Sequence, residues 1–246
     1  MPTKRMRVIA GPNGSGKSSV YQRIHHLVRM GHYVNPDEIG AAFTKDGSID
    51  LKHFGLDCHP DALRNYLRIE RGFLHKAEAS GEQITLFLHD SHLGVSARDR
   101  TDYNAALAAG FLRRQLMESG QSFTFESVLS DKGKLEEIET AKKLGYRVYL
   151  YFVCTEDPEI NVDRVANRVA KGGHPVPEGS IRSRYGRTLE NLLPAFLLAD
   201  RAYLFDNSGE KMELAVEADG RNMQLLVDRA PGWVMDHLIV PLFSGK

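Results

Sequence analysis

The chain has 246 residues, with 32 Lys+Arg against 32 Asp+Glu, 42% hydrophobic and 26% charged residues, a composition that excludes disordered and fibrous classes. No run of about 18 apolar residues is present to span a bilayer, and the basic start Met1–Arg7 leads into a glycine-rich turn instead of a leader's apolar core, so neither a membrane protein nor a secreted one is expected. Cys58 and Cys154 are too few for a disulfide framework or a metal cluster and fit a reducing cytoplasm, and a formal charge of zero gives the whole chain no electrostatic footprint for nucleic acid.

In chain order, Arg7–Ala10 reads as a first strand and Lys17–Met30 as a helix. His32–Asn35 is a short second strand. The stretch from about 40 to 120 is poor in signal: it reads as mostly helical, broken by the apolar run Ile84–Leu88, and residues 41–120 are expected to form a helical insertion or cap. Ser122–Val128 is a third strand. Asp131–Leu144 is the clearest helix, with Leu135, Ile138 and Ala141 at helical spacing and Gly145 as its stop. Tyr146–Cys154, continuous in aromatic and β-branched residues, reads as a buried central strand. A helix over Pro158–Val169, a Gly-Gly-His-Pro break at 172–175 and a long helix over Pro177–Leu198 follow, and together suggest a lid at 158–198. A strand at Arg201–Phe205 precedes a hairpin, Lys211–Ala218 and Asn222–Val227, and a short helix after Pro231; these form a terminal segment at 210–246. Strands alternating with helices predict one α/β domain over 1–246, three-layered, with a mostly parallel central sheet.

Gly11-Pro12-Asn13-Gly14-Ser15-Gly16-Lys17-Ser18 fits the G-x-x-x-x-G-K-[ST] pattern in full, after a predicted strand and before a predicted helix. Glycines let successive N–H groups curl around phosphate oxygens, and the helix start adds its positive end. ATP is therefore expected on Gly11, Asn13, Gly14, Ser15, Gly16, Lys17, Ser18 and Ser19, with Lys17 at the β- and γ-phosphates and Ser18 on Mg²⁺. An Asn-Gly hairpin turn is the competing reading, but the segment after it is helical in period.

A kinase acting on a hydroxyl needs a carboxylate at the end of a strand beside that loop. Asp37, in Asn35-Pro36-Asp37-Glu38, holds such a position, and so does Glu126 in Phe123-Thr124-Phe125-Glu126-Ser127. For each, catalysis competes with capping of a turn or helix. Asp90 and Asp206 each follow an apolar run as a Walker B ligand would, and rank below the first two. Arg164 and Arg168 share one helix face and Arg184 and Arg187 another, with Arg182 nearby. Arginine forks can neutralise a transferring phosphoryl group bidentately, although helical arginines also commonly sit in solvated ion pairs. The histidines at 25, 26, 59, 89 and 92 lack metal-ligand spacing, and no G-x-S-x-G is present.

The ordered set of Gly11–Ser18, Asn35–Glu38, Phe125–Ser130, Arg164–Arg168, Gly172-Gly173-His174 with Pro177-Glu178, Arg182–Arg187 and Asp206-Asn207-Ser208 resembles the zeta-toxin-like P-loop kinases, in their compact chromosomal branch. The resemblance implies an ATP- and Mg²⁺-dependent kinase of the cytoplasm. Its best-known relatives phosphorylate UDP-N-acetylglucosamine and are held inactive by a small antitoxin. By the same route Lys17 and Asp37 become catalytic, with Asp37 as base, joined by Arg168 and Arg184. Glu126, Ser127, Arg164 and Arg182 become substrate-binding. The founding toxins carry an arginine near the place of His174, and 41–120 shows no match. The leading expectation is transfer of the γ-phosphoryl group to a hydroxyl of a small molecule, such as a nucleotide sugar. A nucleotide-binding switch without an acceptor, and a nucleic-acid-end kinase, remain the alternatives.

Overall fold

The computed structural model describes residues 3–220 and 222–244. Met1 and Pro2 of the basic start, Arg221 in the expected hairpin connection, and Gly245 and Lys246 at the end of the 210–246 segment lie outside the described residues. In chain order the elements are β1 (Arg5–Ala10), α1 (Lys17–Ile24), β2 (His32–Val34), α2 (Pro36–Asp46), β3 (Ser48–Asp50), a 3₁₀ turn (Leu51–Phe54), α3 (Pro60–Ile69), α4 (Arg71–Ala79), β4 (Leu86–His89), β5 (His92–Val95), α5 (Asp102–Glu118) and β6 (Phe123–Ser127). They continue with α6 (Gly133–Lys143), β7 (Arg147–Cys154), α7 (Pro158–Ala170), α8 (Glu178–Glu190), α9 (Leu192–Leu198), β8 (Arg201–Asp206), β9 (Glu213–Asp219), β10 (Asn222–Leu225), α10 (Gly232–Val234), a π-helical turn (Met235–Ile239) and α11 (Val240–Ser244). The chain divides into two compact units, 1–30 with 124–246, and 31–123.

In the first unit the strands lie in the order β10-β9-β8-β7-β1-β6. β1 pairs with β7, and β7 with β8, in parallel, whereas β9 and β10 close the edge antiparallel. This is an α/β fold with a mostly parallel central sheet. β7 is the hub because its residues from Leu150 to Cys154 are all buried, as a strand covered on both faces must be. Strand alternation sends Tyr151 and Val153 to one face, where they join Ile9, Val20, Ile24, Met30 and Phe205 in a core under α1. Phe152 points the other way and packs against Trp233, ring centroids 5.7 Å apart.

Two expected helices are shorter than their apolar patterns. α1 stops at Ile24 rather than reaching Met30; beyond it Leu27 is 70% exposed, and the chain continues through a tight turn. The expected long helix over 177–198 is broken at Asn191 into α8 and α9. Pro194 has no N–H to offer the carbonyl of Glu190, so the helix cannot run through.

Besides its helices α2 to α5, the second unit holds a small sheet not expected from the sequence. The run Ile84–Leu88 leads into an antiparallel sheet of order β3-β5-β4. His89 and His92 face each other across a turn whose central residues, Asp90 (φ 46°) and Ser91 (φ 64°), are both left-handed, the backbone that a two-residue hairpin demands. Asp90 is therefore a turn residue, ion-paired with His89 at 3.2 Å. The buried Asn104 of α5 pins this unit: its amide donates to the carbonyls of Gln83 (2.7 Å) and Asp99 (2.9 Å) and accepts from the Thr85 N–H (3.2 Å).

Candidate active site

The phosphate loop is shaped by three glycines at positive φ, Gly11 (149°), Gly14 (79°) and Gly16 (106°). Space forbids a side chain as firmly as the backbone does. A Cβ on Gly11 would collide with the carbonyl oxygen of Val153, one on Gly14 would lie 2.6 Å from the carbonyl oxygen of Asn161, and one on Gly16 would lie 2.5 Å from Nδ2 of Asn207. The loop is thus clasped by β7, α7 and the end of β8. Gly11 N–H also donates to the Ser127 carbonyl at 3.2 Å, which ties the loop to the end of β6.

Lys17 opens α1 and turns back over the loop, its Nζ donating to the carbonyls of Gly11 and Pro12, both at 2.9 Å. Ser18 and Ser19, on the first turn of α1, are exposed. Asn13 Oδ1 and Ser15 Oγ are buried without a hydrogen-bond partner among the described residues, as are Asn161 Nδ2 and Arg164 Nη1. Buried polar atoms are normally paired, so this concentration around one loop fits a polar ligand. A triphosphate suits the cradle because the glycine backbone presents N–H groups and Lys17 supplies charge. No cluster of three or more His, Cys, Asp or Glu that could hold a metal exists among the described residues. Ser18 would share Mg²⁺ with phosphate oxygens, as this ion's preference for few protein ligands allows.

Glu126 and Ser127 end β6, half-buried, and the turn beyond them is held unusually tightly. Leu129 takes a left-handed backbone (φ 59°), costly for a non-glycine residue, and its surroundings fix it there. Its N–H donates to Ser127 Oγ at 3.0 Å, and its carbonyl accepts from Asn191 Nδ2 at 2.8 Å. Thr188 Oγ1 donates to the Val128 carbonyl at 2.8 Å, and Tyr185 OH to the Thr155 carbonyl at 2.6 Å. α8 therefore braces the ends of both β6 and β7. Burial pushes the Tyr185 hydroxyl well above its ordinary pKa and the Cys154 thiol up to about 12, so both stay protonated at neutral pH.

The arginines do not converge. Among the lid arginines Arg164 has a buried guanidinium nitrogen, Nη1, without a partner among the described residues. Arg168 donates to the His174 carbonyl at 2.7 Å and closes the Gly172-Gly173 turn. Arg182 forks onto Glu159 at 2.7 and 2.8 Å and reaches Glu178 at 3.0 Å; the hydrogen bonds from the two glutamates hold its pKa above the ordinary range. Arg184 is half-buried and Arg187 exposed. α7 and α8 share a small core of Val162, Val165 and Ile181, while Gly172 in the turn between them is exposed, with open space where a Cβ would stand. Asp206 accepts from Ser208 N–H, Ser208 Oγ and Trp233 Nε1 and so anchors the end of β8 to Trp233. In the second unit Asn35 caps α2, its Oδ1 accepting from Asp37 N–H at 2.9 Å. The capping role expected as Asp37's competitor thus belongs to Asn35, and the Asp37 carboxylate is exposed in the first turn.

Asn161, Asn207, Tyr185, Thr188 and Asn191 were not among the expected site residues. Of these Asn207 lies within the Asp206-Asn207-Ser208 motif and Tyr185 within the Arg182–Arg187 segment.

The zeta toxin family model matches residues 94–209. Over that span the chain resembles the zeta toxins. The span holds Glu126, Ser127 and every arginine considered above, and leaves the phosphate loop and Asn35–Glu38 outside it. An uncharacterized protein of Haemophilus influenzae is 36% identical over 63 residues, 26% of this chain and 45% of that protein. Among solved structures, the native AvrRxo1-ORF1:-ORF2 complex superposes with a TM-score of 0.57 at 15% identity, covering 95% of this chain and 66% of that one. The PezAT chromosomal toxin-antitoxin system of Streptococcus pneumoniae gives 0.53 at 12% identity, covering 100% and 80%. The chain thus spans under half of the Haemophilus relative and just under two thirds of the AvrRxo1 chain. At these identities the structural likeness shows the fold alone, mixed α/β with a mostly parallel central sheet.

Proposed function

We propose that the chain is an ATP- and Mg²⁺-dependent kinase that transfers the γ-phosphoryl group to a hydroxyl of a small molecule, with a nucleotide sugar such as UDP-N-acetylglucosamine as the first acceptor to test. The observation that carries this reading is the clasped glycine loop with Lys17 over it and unpaired buried polar atoms around it. The zeta toxin match supports it, as does the AvrRxo1 likeness, since that complex has also been crystallised with ATP. Free, buried thiols at Cys58 and Cys154 accord with work in the cytoplasm. No helix among the described residues is long and apolar enough to cross a membrane.

In this mechanism the loop amides and Lys17 grip the phosphates, and the Ser18 hydroxyl would hold Mg²⁺, which would supply further positive charge against the phosphates. Asp37, exposed at the start of α2, orients the acceptor hydroxyl and takes its proton. Glu126 and Ser127 hold the acceptor. Arg164, with Arg168, Arg182 and Arg184 on the same helical hairpin, balances the charge spread over the transferring group; Arg168 and Arg182 must first exchange their present partners. A small antitoxin is the expected protein partner, because the PezAT likeness is to a toxin-antitoxin system.

The test is a cell extract incubated with γ-labelled ATP, Mg²⁺ and purified protein, followed by mass identification of the labelled product. A labelled metabolite that disappears with Lys17→Ala supports the reading. ATP binding by the wild-type protein without any labelled product would overturn it in favour of a nucleotide-dependent switch.

A further inference from the structure

Asn161 stands apart from the residues to which the kinase reading assigns a role. It lies in the first turns of α7, fully buried, and its backbone forms the wall against which Gly14 packs. One half of its carboxamide is spoken for: Oδ1 accepts from Thr155 Oγ1 at 2.8 Å. The other half, Nδ2, is buried with no partner among the described residues. On the loop side of the same contact, the residue next to Gly14 is Asn13, whose Oδ1 is an acceptor that is also buried and unpartnered. A buried donor and a buried acceptor on two elements in van der Waals contact, each unsatisfied, are complementary halves of one hydrogen bond.

Resting on the kinase reading, we propose that Asn161 is a positioning residue for the phosphoryl donor: its Nδ2 closes onto Asn13 Oδ1 when phosphates fill the loop, and this draws α7 against the nucleotide. The consequence reaches Arg164, three residues further along α7 and on the same face, whose Nη1 is the remaining unpartnered buried donor on that helix. Closing the Asn161–Asn13 bond sets the depth at which that guanidinium meets the phosphates. Thr155 makes this possible by engaging Oδ1 of Asn161, which leaves Nδ2 as the unpartnered half of the carboxamide among the described residues. Left open, the two buried groups carry a desolvation cost, which the bond recovers once a ligand orders the loop. Binding thus supplies the order and the bond holds it.

The experiment is a double-mutant cycle on the full chain, with Asn13→Ala, Asn161→Ala and the pair together, each titrated with ATP and Mg²⁺ by calorimetry and melted without ligand. Each single variant should weaken ATP binding about two- to tenfold, the range of one hydrogen bond, and the double variant should bind no more weakly than the poorer single. Without ligand, where the bond is open, the two melting shifts should add. Asn161→Ser replaces the alanine variant in the cycle if the latter melts too low to titrate. Affinity losses that multiply would mean that Nδ2 meets the phosphates by itself and would overturn the proposal, as would unchanged affinity in both singles or coupling already present without ligand. In those cases the kinase reading stands; a wild-type protein that binds no ATP removes both.

Discussion

Asn207 holds the phosphate loop from the end of β8: its Nδ2 donates to the Ser15 carbonyl at 2.8 Å, while its own N–H donates to the Cys154 carbonyl at 2.8 Å. The residue is a bridge between the loop and the hub strand, and Gly16 is a glycine partly because Asn207 occupies the space where its Cβ would stand. Asn207→Ala keeps the backbone half of the bridge and loses the side-chain half. ATP affinity should fall about two- to tenfold, the worth of a single hydrogen bond, with little change in melting temperature. Calorimetric titration and a thermal melt on the same sample check this, and an unchanged affinity would mean that the loop needs no such support.

Asp37 makes the sharpest separation between binding and chemistry. Its carboxylate neither caps α2 nor touches the nucleotide cradle in the proposed mechanism. Asp37→Asn should therefore lower kcat by about 10²- to 10⁴-fold, the usual contribution of a general base, and leave ATP affinity as it was. Near-normal turnover by the variant would transfer the role to another carboxylate, with Glu126 first in line.

Tyr185→Phe removes the hydroxyl that donates to the buried Thr155 carbonyl at 2.6 Å and leaves that carbonyl the weak Cys154 thiol, 3.4 Å away, as a donor. The loss should cost about 1–3 kcal/mol of stability, seen as a lower denaturation midpoint in urea. Because α8 braces both strand ends, turnover should fall as well, with the aromatic packing intact. A variant as stable as wild type would show that Thr188 and Asn191 suffice to hold the helix.

Acid should loosen the α7–α8 hairpin before the rest of the molecule. The hydrogen bonds from Arg182 hold the Glu159 carboxyl below its ordinary pKa, so its contribution to stability is full above the unfolded value and is lost as pH falls through the lower, folded one. The same sign applies to Asp219, which Arg201 holds low at the sheet edge. Both pairs are solvent-exposed, so salt should mute the effect. Arg182→Gln should erase the hairpin's share of the acid sensitivity, as measured by hydrogen exchange in α7 and α8 between neutral and mildly acidic pH. Equal sensitivity in the variant would remove Arg182 as its source.

The chemistry-bearing loop was the most legible part of the sequence, because its function lives in the backbone and glycine spacing encodes backbone directly. Pattern also located the buried run at Tyr146–Cys154, since a strand covered on both faces must be apolar throughout. Periodicity failed where one residue decides an outcome. Pro194 splits α8 from α9 inside an unbroken helical pattern, and Asp90-Ser91 make a hairpin without glycine. The arginines illustrate a different limit: charge and spacing place Arg182 on a helix face, yet whether Glu159 meets it depends on how a second helix folds back. Of the least legible residues, Thr188 and Asn191 act through main-chain carbonyls 60 and 62 positions away, and Asn161 through the hydroxyl of Thr155, 6 positions before it. Nothing in their own neighbourhoods marks them.

β1 takes its partner from far downstream, with Arg5 in register with Arg147 and Ala10 with Phe152. The glycine loop is made before residues 31–123, and the strand that pairs with β1 in this register only after them. A nascent chain that ends before β7 therefore lacks the strand against which Gly11 packs. An intervening unit slow to fold would leave β1 waiting for that partner for as long as the delay lasted.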